Sequence, residues 1–283
     1  MMQMTSQRYD AEKMEIDMLL EGIRNRYGYD FTHYSQASMK RRIDLVRDQA
    51  GLTSYTALLN SLFHNEQHFD AFLKHMSITV TEMFRDPPVY SAIREKIIPI
   101  LKTYPFVKIW HAGCATGEEV YSMAILLHEE GFLDRARIYA TDFNKHSLDK
   151  AQEGVYSSKK IDDYAANYME AGGKRHLSDY YRASYDLIKF KNYLKERVTF
   201  SYHNLVTDGV FGEMNLICCR NVLIYFDKSL QNHVLANFTQ SLRHGGFLCL
   251  GNKETLNFTA VKSLYEPIDS KQRIYRKCGA AYV

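Results

Sequence analysis

The amino-acid sequence predicts an α/β protein, with a doubly wound, mostly parallel sheet behind an all-helical N-terminal domain and a small β-subdomain inserted into the sheet region. Three observations carry this expectation. Residues 1 to about 76 show apolar side chains at helical spacing and no alternating run. Beyond residue 105, short apolar segments alternate with amphipathic ones, the pattern of strands joined by crossover helices. Within that second region, Gly172 to Glu196 is rich in Tyr, Lys and Arg and carries β-like runs between Tyr185 and Tyr193.

A chain of 283 residues has room for a small domain and a larger one. The expected division is 1–76 for the helical domain, 77–105 for a linker and connecting helix, and 106–283 for the sheet domain, with 172–196 as its insertion. In the helical domain, Leu58, Leu59, Leu62 and Phe63 make one stripe, and Phe69, Phe72 and Leu73 a second. The consecutive prolines of Asp86-Pro87-Pro88 break one element and can open the next, a helix over roughly Val89–Leu101. Strands are expected at 107–112, 137–141, 198–202, 215–219 and 247–250, with 272–276 as a late edge strand. Helices are expected near 118–130 and 147–154, and a third carries Leu230, Val234, Leu235, Phe238 and Leu242 on one face. Asp227 is placed to cap that helix and Gly245-Gly246 to end it.

Composition excludes several classes. No stretch approaches the ~20 uninterrupted apolar residues of a membrane span. The N-terminal segment has neither a basic region nor a clean apolar run, so a cytoplasmic protein is expected. Five cysteines without CxxC or Cys/His spacing predict reduced thiols and no metal. A formal net charge of +3 does not call for nucleic acid or anionic lipid. Hydrolase signatures such as G-x-S-x-G and HExxH are absent.

Chemistry concentrates at strand ends. Ala112-Gly113-Cys114-Ala115-Thr116-Gly117-Glu118-Glu119 follows one strand and opens a helix, and its small residues let a ligand approach the backbone. Two glutamates at the helix start repel phosphate and suit a cation or an amino group, although they also complement the helix dipole. Asp142 ends the next strand, where an acidic side chain can accept hydrogen bonds from ribose hydroxyls or cap the following helix. Arg220, Asn221 and Tyr225 stand at the exit of a further strand, placed to hold a carboxylate and a cofactor together. The alternative is that Tyr225 and Phe226 are core and Arg220 is an ion-pair partner.

These segments, in this order behind a helical domain, resemble the CheR-type chemotaxis receptor methyltransferases. The resemblance rests on AGCATGEEVYS at 112–122, YATDFN at 139–144 and CCRNVLIYFDKSLQ at 218–231, supported by HNL at 203–205 and the Thr79–Arg85 segment. It implies a Rossmann-like sheet that binds S-adenosylmethionine, leaves S-adenosylhomocysteine and esterifies glutamates of a chemoreceptor-like protein. It further implies that Glu119 contacts the amino group of the cofactor's methionine portion and Asp142 its ribose. Thr79, Thr81 and Arg85 would close over the cofactor, Asn204 and Leu205 would flank adenosine, and Gly113, Arg220 and Asn221 would line the site. Arg85, Arg220 and Tyr225 would face the reacting groups. A non-catalytic module that senses S-adenosylmethionine is the alternative, disfavoured because the glycine turn and Asp142 are both kept. The basic group Lys40, Arg41, Arg42 and Arg47 is the expected partner surface, interrupted by Asp44 and Asp48. The short Gly172–His176 loop argues against tethering to a receptor tail.

Overall fold

A computed structural model describes residues 2–77 and 81–279. The chain divides into two compact units, Met1–Ile78 with Tyr225–Gln231, and Thr79–Ile224 with Asn232–Val283.

The first unit contains helices α1 (Met2–Tyr27), α2 (Gln36–Gln49), α3 (Tyr55–His64) and α4 (Glu66–Met76). The two expected stripes become two helices because Asn65 intervenes: its side-chain oxygen accepts the amides of Gln67 and His68 and so starts α4. Ser54 starts α3 in the same way through the amide of Ala57. Leu58, Leu62, Phe69 and Phe72 are buried with Leu19, Ile23, Phe31 and Ile43.

Residues 225–231 reach this unit from far along the chain. Tyr34 and Phe226 form an antiparallel bridge, Ser35 donates its amide to the Tyr225 carbonyl at 2.8 Å, and Asp227 donates its amide to the His33 carbonyl at 2.9 Å.

The basic residues of α2 do not form an open patch. Lys40 is held by Glu12 at 2.7 Å and Asp44 at 3.1 Å, and Arg47 by Asp48 at 2.8 Å and Asp44 at 3.3 Å. Arg42 is buried, donating to the Met76 carbonyl at 2.5 Å, with its guanidinium 4.9 Å from the centre of the Tyr225 ring. Arg41 alone of the four is exposed.

The second unit opens with a helical stretch whose first turn holds Pro87 and Pro88. It widens to a π-helical turn at Ile93–Ile97 and resumes at Ile98–Leu101. Pro99 explains the wide turn, since it has no amide to donate and its ring crowds the preceding turn.

Seven strands form the main sheet. With β3–β5 reserved for the small sheet below, they are β1 (Val107–Ala112), β2 (Ala136–Asp142), β6 (Val198–Tyr202), β7 (Met214–Cys219), β8 (Leu242–Leu250), β9 (Tyr265–Asp269) and β10 (Ile274–Lys277). Their order is β6-β2-β1-β7-β8-β10-β9. The first five run parallel, and β10 lies antiparallel to both neighbours. Succession runs outward from β1 through β2 to β6, then restarts at β7 on the other side. The carboxyl ends of β1 and β7 therefore flank the switch point at which open α/β sheets bind ligands. Both strands are almost wholly buried, as central parallel strands must be.

The second unit departs from expectation in three places. The segment near 272–276 is not the edge: β10 is internal, and β9 is the outer strand. An edge tolerates Pro267, which breaks the sequence pattern of β9. The helix after Asp227 ends at Ser241, and Gly245-Gly246 lies inside β8, where the pairing with β7 shifts register. Ile161–Glu170 forms a helix outside the expected elements.

The smaller sheet has the order β3-β5-β4, from Val155–Ser157, Leu187–Phe190 and Tyr181–Ser184. Its first strand lies upstream of the 172–196 segment. No helix among the described residues is long and apolar enough to cross a membrane.

Candidate active site

At the end of β1 the chain turns sharply. Gly113 and Cys114 both donate their amides to the Thr141 carbonyl at 2.9 Å, and Gly113 takes φ +77°. A Cβ at Gly113 would stand 2.7 Å from Val222 Cγ2, so glycine is what lets the turn approach the segment after β7. Ala115, at φ +47°, donates its amide to Asp142 Oδ2 at 2.9 Å, and Asn144 donates its amide to Oδ1 at 2.9 Å. Burial pushes the Asp142 carboxyl up, against the pull of these amides and that of Phe143. With Ala115, Asn144 and Phe143 as amide donors, about one of the roughly four acceptor positions of an ionised carboxylate stays open. Acceptor capacity therefore remains for a hydroxyl.

The two glutamates at the start of the following helix (Glu118–Glu129) diverge. Glu118 is buried, accepts the Thr116 hydroxyl at 2.6 Å and is pushed up by burial. Glu119 meets His111 Nδ1 at 2.8 Å and Arg220 Nη1 at 2.9 Å. Burial pushes its carboxyl up, but the Arg220 guanidinium and then His111 outweigh burial and bring it down to about 2.

Arg220 is the hub, with a side chain only 2% exposed. Its Nη2 donates to Asp86 Oδ2 at 2.8 Å and to the Arg85 carbonyl at 2.9 Å. Burial works against its charge, and Glu119 more than compensates, so it stays firmly cationic. His111, Glu119 and Cys218 bring ligand-type atoms within 4.8 Å of one another, with Glu119 also paired to Arg220.

The turn after β7 is held by a residue that sequence reasoning missed. Glu254 is 4% exposed, and its carboxylate accepts the amides of Gly251 (2.6 Å), Val222 (2.8 Å), Asn221 (3.1 Å) and Ile224 (3.3 Å). Burial pushes its carboxyl up and these amides oppose the shift. Asn221 takes φ +60°, a left-handed conformation that asparagine adopts more readily than most residues.

On the β2 side, the His203 amide donates to the Asp142 carbonyl at 3.2 Å, which ties the 203–208 loop to the acidic strand end. Asn204 is buried and shapes that loop: its side-chain oxygen accepts the Val206 amide at 3.0 Å, and its own amide donates to Asp208 at 2.8 Å. Leu205, Thr81 and Arg85 are half-buried.

The switch point thus gathers Gly113, Glu119, Asp142, Asn204, Arg220, Asn221 and the Arg85 backbone. Thr79 lies outside the described residues. Tyr225 belongs to the helical unit, where Arg42 faces its ring. Arg220 differs from expectation, because its terminal nitrogens are engaged by protein groups. Asp86, His111 and Glu254 are additional members. Asp86 had a signal in its position next to Arg85 before the prolines, and Glu254 in its place just beyond the carboxyl end of β8.

Comparison with known proteins agrees with this geometry. Residues 79–274 match the family model described as CheR methyltransferase, SAM binding domain, and residues 14–77 match CheR methyltransferase, all-alpha domain. Cher3 of Pseudomonas putida is 48% identical over 274 residues, covering 97% of this chain and 100% of that protein. The chemotaxis protein methyltransferase 1 of Vibrio cholerae is 32% identical over 78% of this chain and 82% of its own length. That of Listeria monocytogenes is 27% identical over 83% and 87%. With a helical domain, an S-adenosylmethionine-binding sheet and the turn, acid and arginine assembled at the switch point, the chain belongs to the CheR family of S-adenosylmethionine-dependent methyltransferases.

Proposed function

We propose that the protein transfers a methyl group from S-adenosylmethionine to glutamate side chains of a chemoreceptor-like protein, forming glutamyl methyl esters. The observation that carries this reading is that the acids of the site are already engaged, and that its one imidazole, His111, is buried with Nδ1 on Glu119. Amides hold Asp142 and Glu254, Arg220 holds Glu119 and Asp86, and His111 faces Glu119. Such a site offers alignment rather than a proton acceptor. A glutamate carboxylate, with an unperturbed pKa near ~4.3, is anionic at neutral pH and needs no base.

The donor set suits the cofactor, which when bound supplies an electrophilic methyl group on a sulfonium. Asp142 has acceptor capacity for a ribose hydroxyl, and Asn204 and Leu205 lie on the loop tied to it. Glu119, ionised at about 2, suits an ammonium. Thr79, Thr81 and Arg85 precede the helix start and are assigned to covering the cofactor, with Gly113 and Asn221 lining it. Arg220 acts through Glu119 and Asp86, fixing both carboxylates, rather than by pairing with the substrate. That division suits the chemistry: a tight ion pair to the nucleophile would stabilise the ground state more than a transition state in which both charges fade. Tyr225 and Arg85 are assigned to orienting the incoming carboxylate, and alignment of this kind is worth several powers of ten in rate.

The test is incubation of the purified protein with radiolabelled S-adenosylmethionine and receptor-containing membranes of its source. Label that leaves as volatile methanol in mild alkali is the expected result, and alkali-stable label would refute ester formation. Binding of S-adenosylhomocysteine without transfer to any fraction would favour a sensing module.

A further inference from the structure

The turn Arg220–Ile224 is short, carries one left-handed residue and follows a buried strand, so something outside it must hold its shape. Among the described contacts of its amides, one side chain stands out. Asn221 and Gly251 donate to Glu254 Oε2, and Val222 and Ile224 to Oε1. Two oxygens taking two donors each is a pattern only an ionised carboxylate satisfies, since a glutamine would turn an NH2 group toward two N–H groups. Gly251 fits the same closure from the other side. A Cβ there would lie 2.7 Å from the Asn221 amide nitrogen and 3.0 Å from Asn221 Nδ2. The end of β8 is therefore shaped to receive the turn after β7, and Asn221 is the residue both features grip.

We propose that Glu254 is a positioning residue, whose carboxylate fixes the turn that presents the Asn221 side chain to the methyl donor. This rests on the reading of Asn221 as part of the cofactor site. Asn221 is half-buried, so its side chain keeps access to a ligand while its backbone is locked. A role confined to stability would make loss of Glu254 independent of what residue 221 carries. A positioning role makes the two losses one, because residues acting as a unit are non-additive.

The experiment is calorimetry of the whole chain with S-adenosylhomocysteine for wild type, Glu254→Gln, Asn221→Ala and the double variant. Glu254→Gln is expected to weaken binding about tenfold or more, with the double variant within about twofold of Glu254→Gln alone. Wild-type affinity in Glu254→Gln, or a double variant whose loss is the product of the two singles, would overturn the proposal. Should Glu254→Gln not fold, Gly251→Ala disturbs the same turn while keeping the carboxylate itself, since its Cβ would crowd both the Asn221 amide nitrogen at 2.7 Å and Glu254 Oε2 at 2.8 Å. It is expected to weaken binding with the same non-additivity toward Asn221→Ala, and additive losses would again overturn it. If the wild type binds S-adenosylhomocysteine and this coupling holds while no methyl ester forms on receptors, the functional reading fails and the positioning role stands. If esters form and Glu254→Gln binds normally, the reverse holds.

Discussion

The carboxyl edge of the main sheet and the surface of α2 both carry dense charge, and they use it in opposite ways. At the sheet edge, Glu119 and Asp86 converge on one arginine, while Asp142 and Glu254 take backbone amides that shape two turns. The result is a set of acids pinned in place at the switch point. On α2, Lys40 and Arg47 pair with acids of α1 and of α2 itself, and Arg42 turns inward under Tyr225. There the charge joins helices and leaves Arg41 as the exposed cation of the four. Whether a charged residue recognises a partner or holds the fold depends on what surrounds it, and a run of basic letters does not decide it.

The largest effect should come from breaking the hub. Arg220→Ala leaves Glu119 and Asp86 without their shared cation, and loss of one member of a buried pair typically costs about 3–5 kcal/mol. Chemical denaturation should show a loss of that order together with loss of cofactor binding. A change under about 1 kcal/mol would mean that the network is less essential than its geometry indicates.

Asp142→Ala should weaken both S-adenosylmethionine and S-adenosylhomocysteine by about 1.5–3 kcal/mol, the usual worth of a hydrogen bond to a charged group. Equal affinities for variant and wild type in calorimetry would remove Asp142 from the ribose site.

The third test uses pH. The Glu119 carboxyl is depressed in the folded state to about 2, below the ordinary 4.5. Its contribution is therefore fully present above pH 4.5 and is lost as pH falls from 4.5 toward 2, amounting to at most about 3 kcal/mol. Asp142 and Glu254 are shifted upward and contribute the opposite slope, so the comparison must be with a single variant. Glu119→Gln should flatten the loss of stability through that window, and an unchanged acid profile would contradict the shift.

The smallest effect tests the other region. Arg41→Glu should slow methylation of receptor membranes several-fold and make the rate more salt-sensitive, without altering cofactor affinity. Arg47→Glu should instead lower stability, because it breaks contacts to Asp44 and Asp48. If both variants lost methylation equally with no change in stability, α2 would be a recognition face after all.

Much of the sheet and half of the site were legible because their signals are local. The strand, glycine turn and helix from Val107 to Glu129 sit in one stretch, and Asp142 closes the next strand. What escaped depends on distant pairing. Arg220 meets Glu119 across 101 residues and Asp86 across 134, and Glu254 meets Val222 across 32. No spacing rule connects such positions. The outer strand β9 escaped for a local reason, since Pro267 interrupts the pattern by which a strand is recognised. The pairing of the α2 residues was partly hidden for a third: Asp44 and Asp48 are neighbours in sequence, but Glu12 of α1 on Lys40 and the Met76 carbonyl on Arg42 are not.

The helical unit is not continuous in sequence, because Tyr225–Gln231 completes it. During synthesis the ribosome finishes residue 78 and must add roughly 150 more before that piece exists. At ~5–20 residues per second this interval is roughly 8–30 s. Through that interval Tyr34 lacks its bridge to Phe226, Arg42 has no Tyr225 ring to cover, and His33 has no Asp227 to meet. The nascent four-helix segment therefore lacks these contacts until Tyr225–Gln231 emerges and completes it.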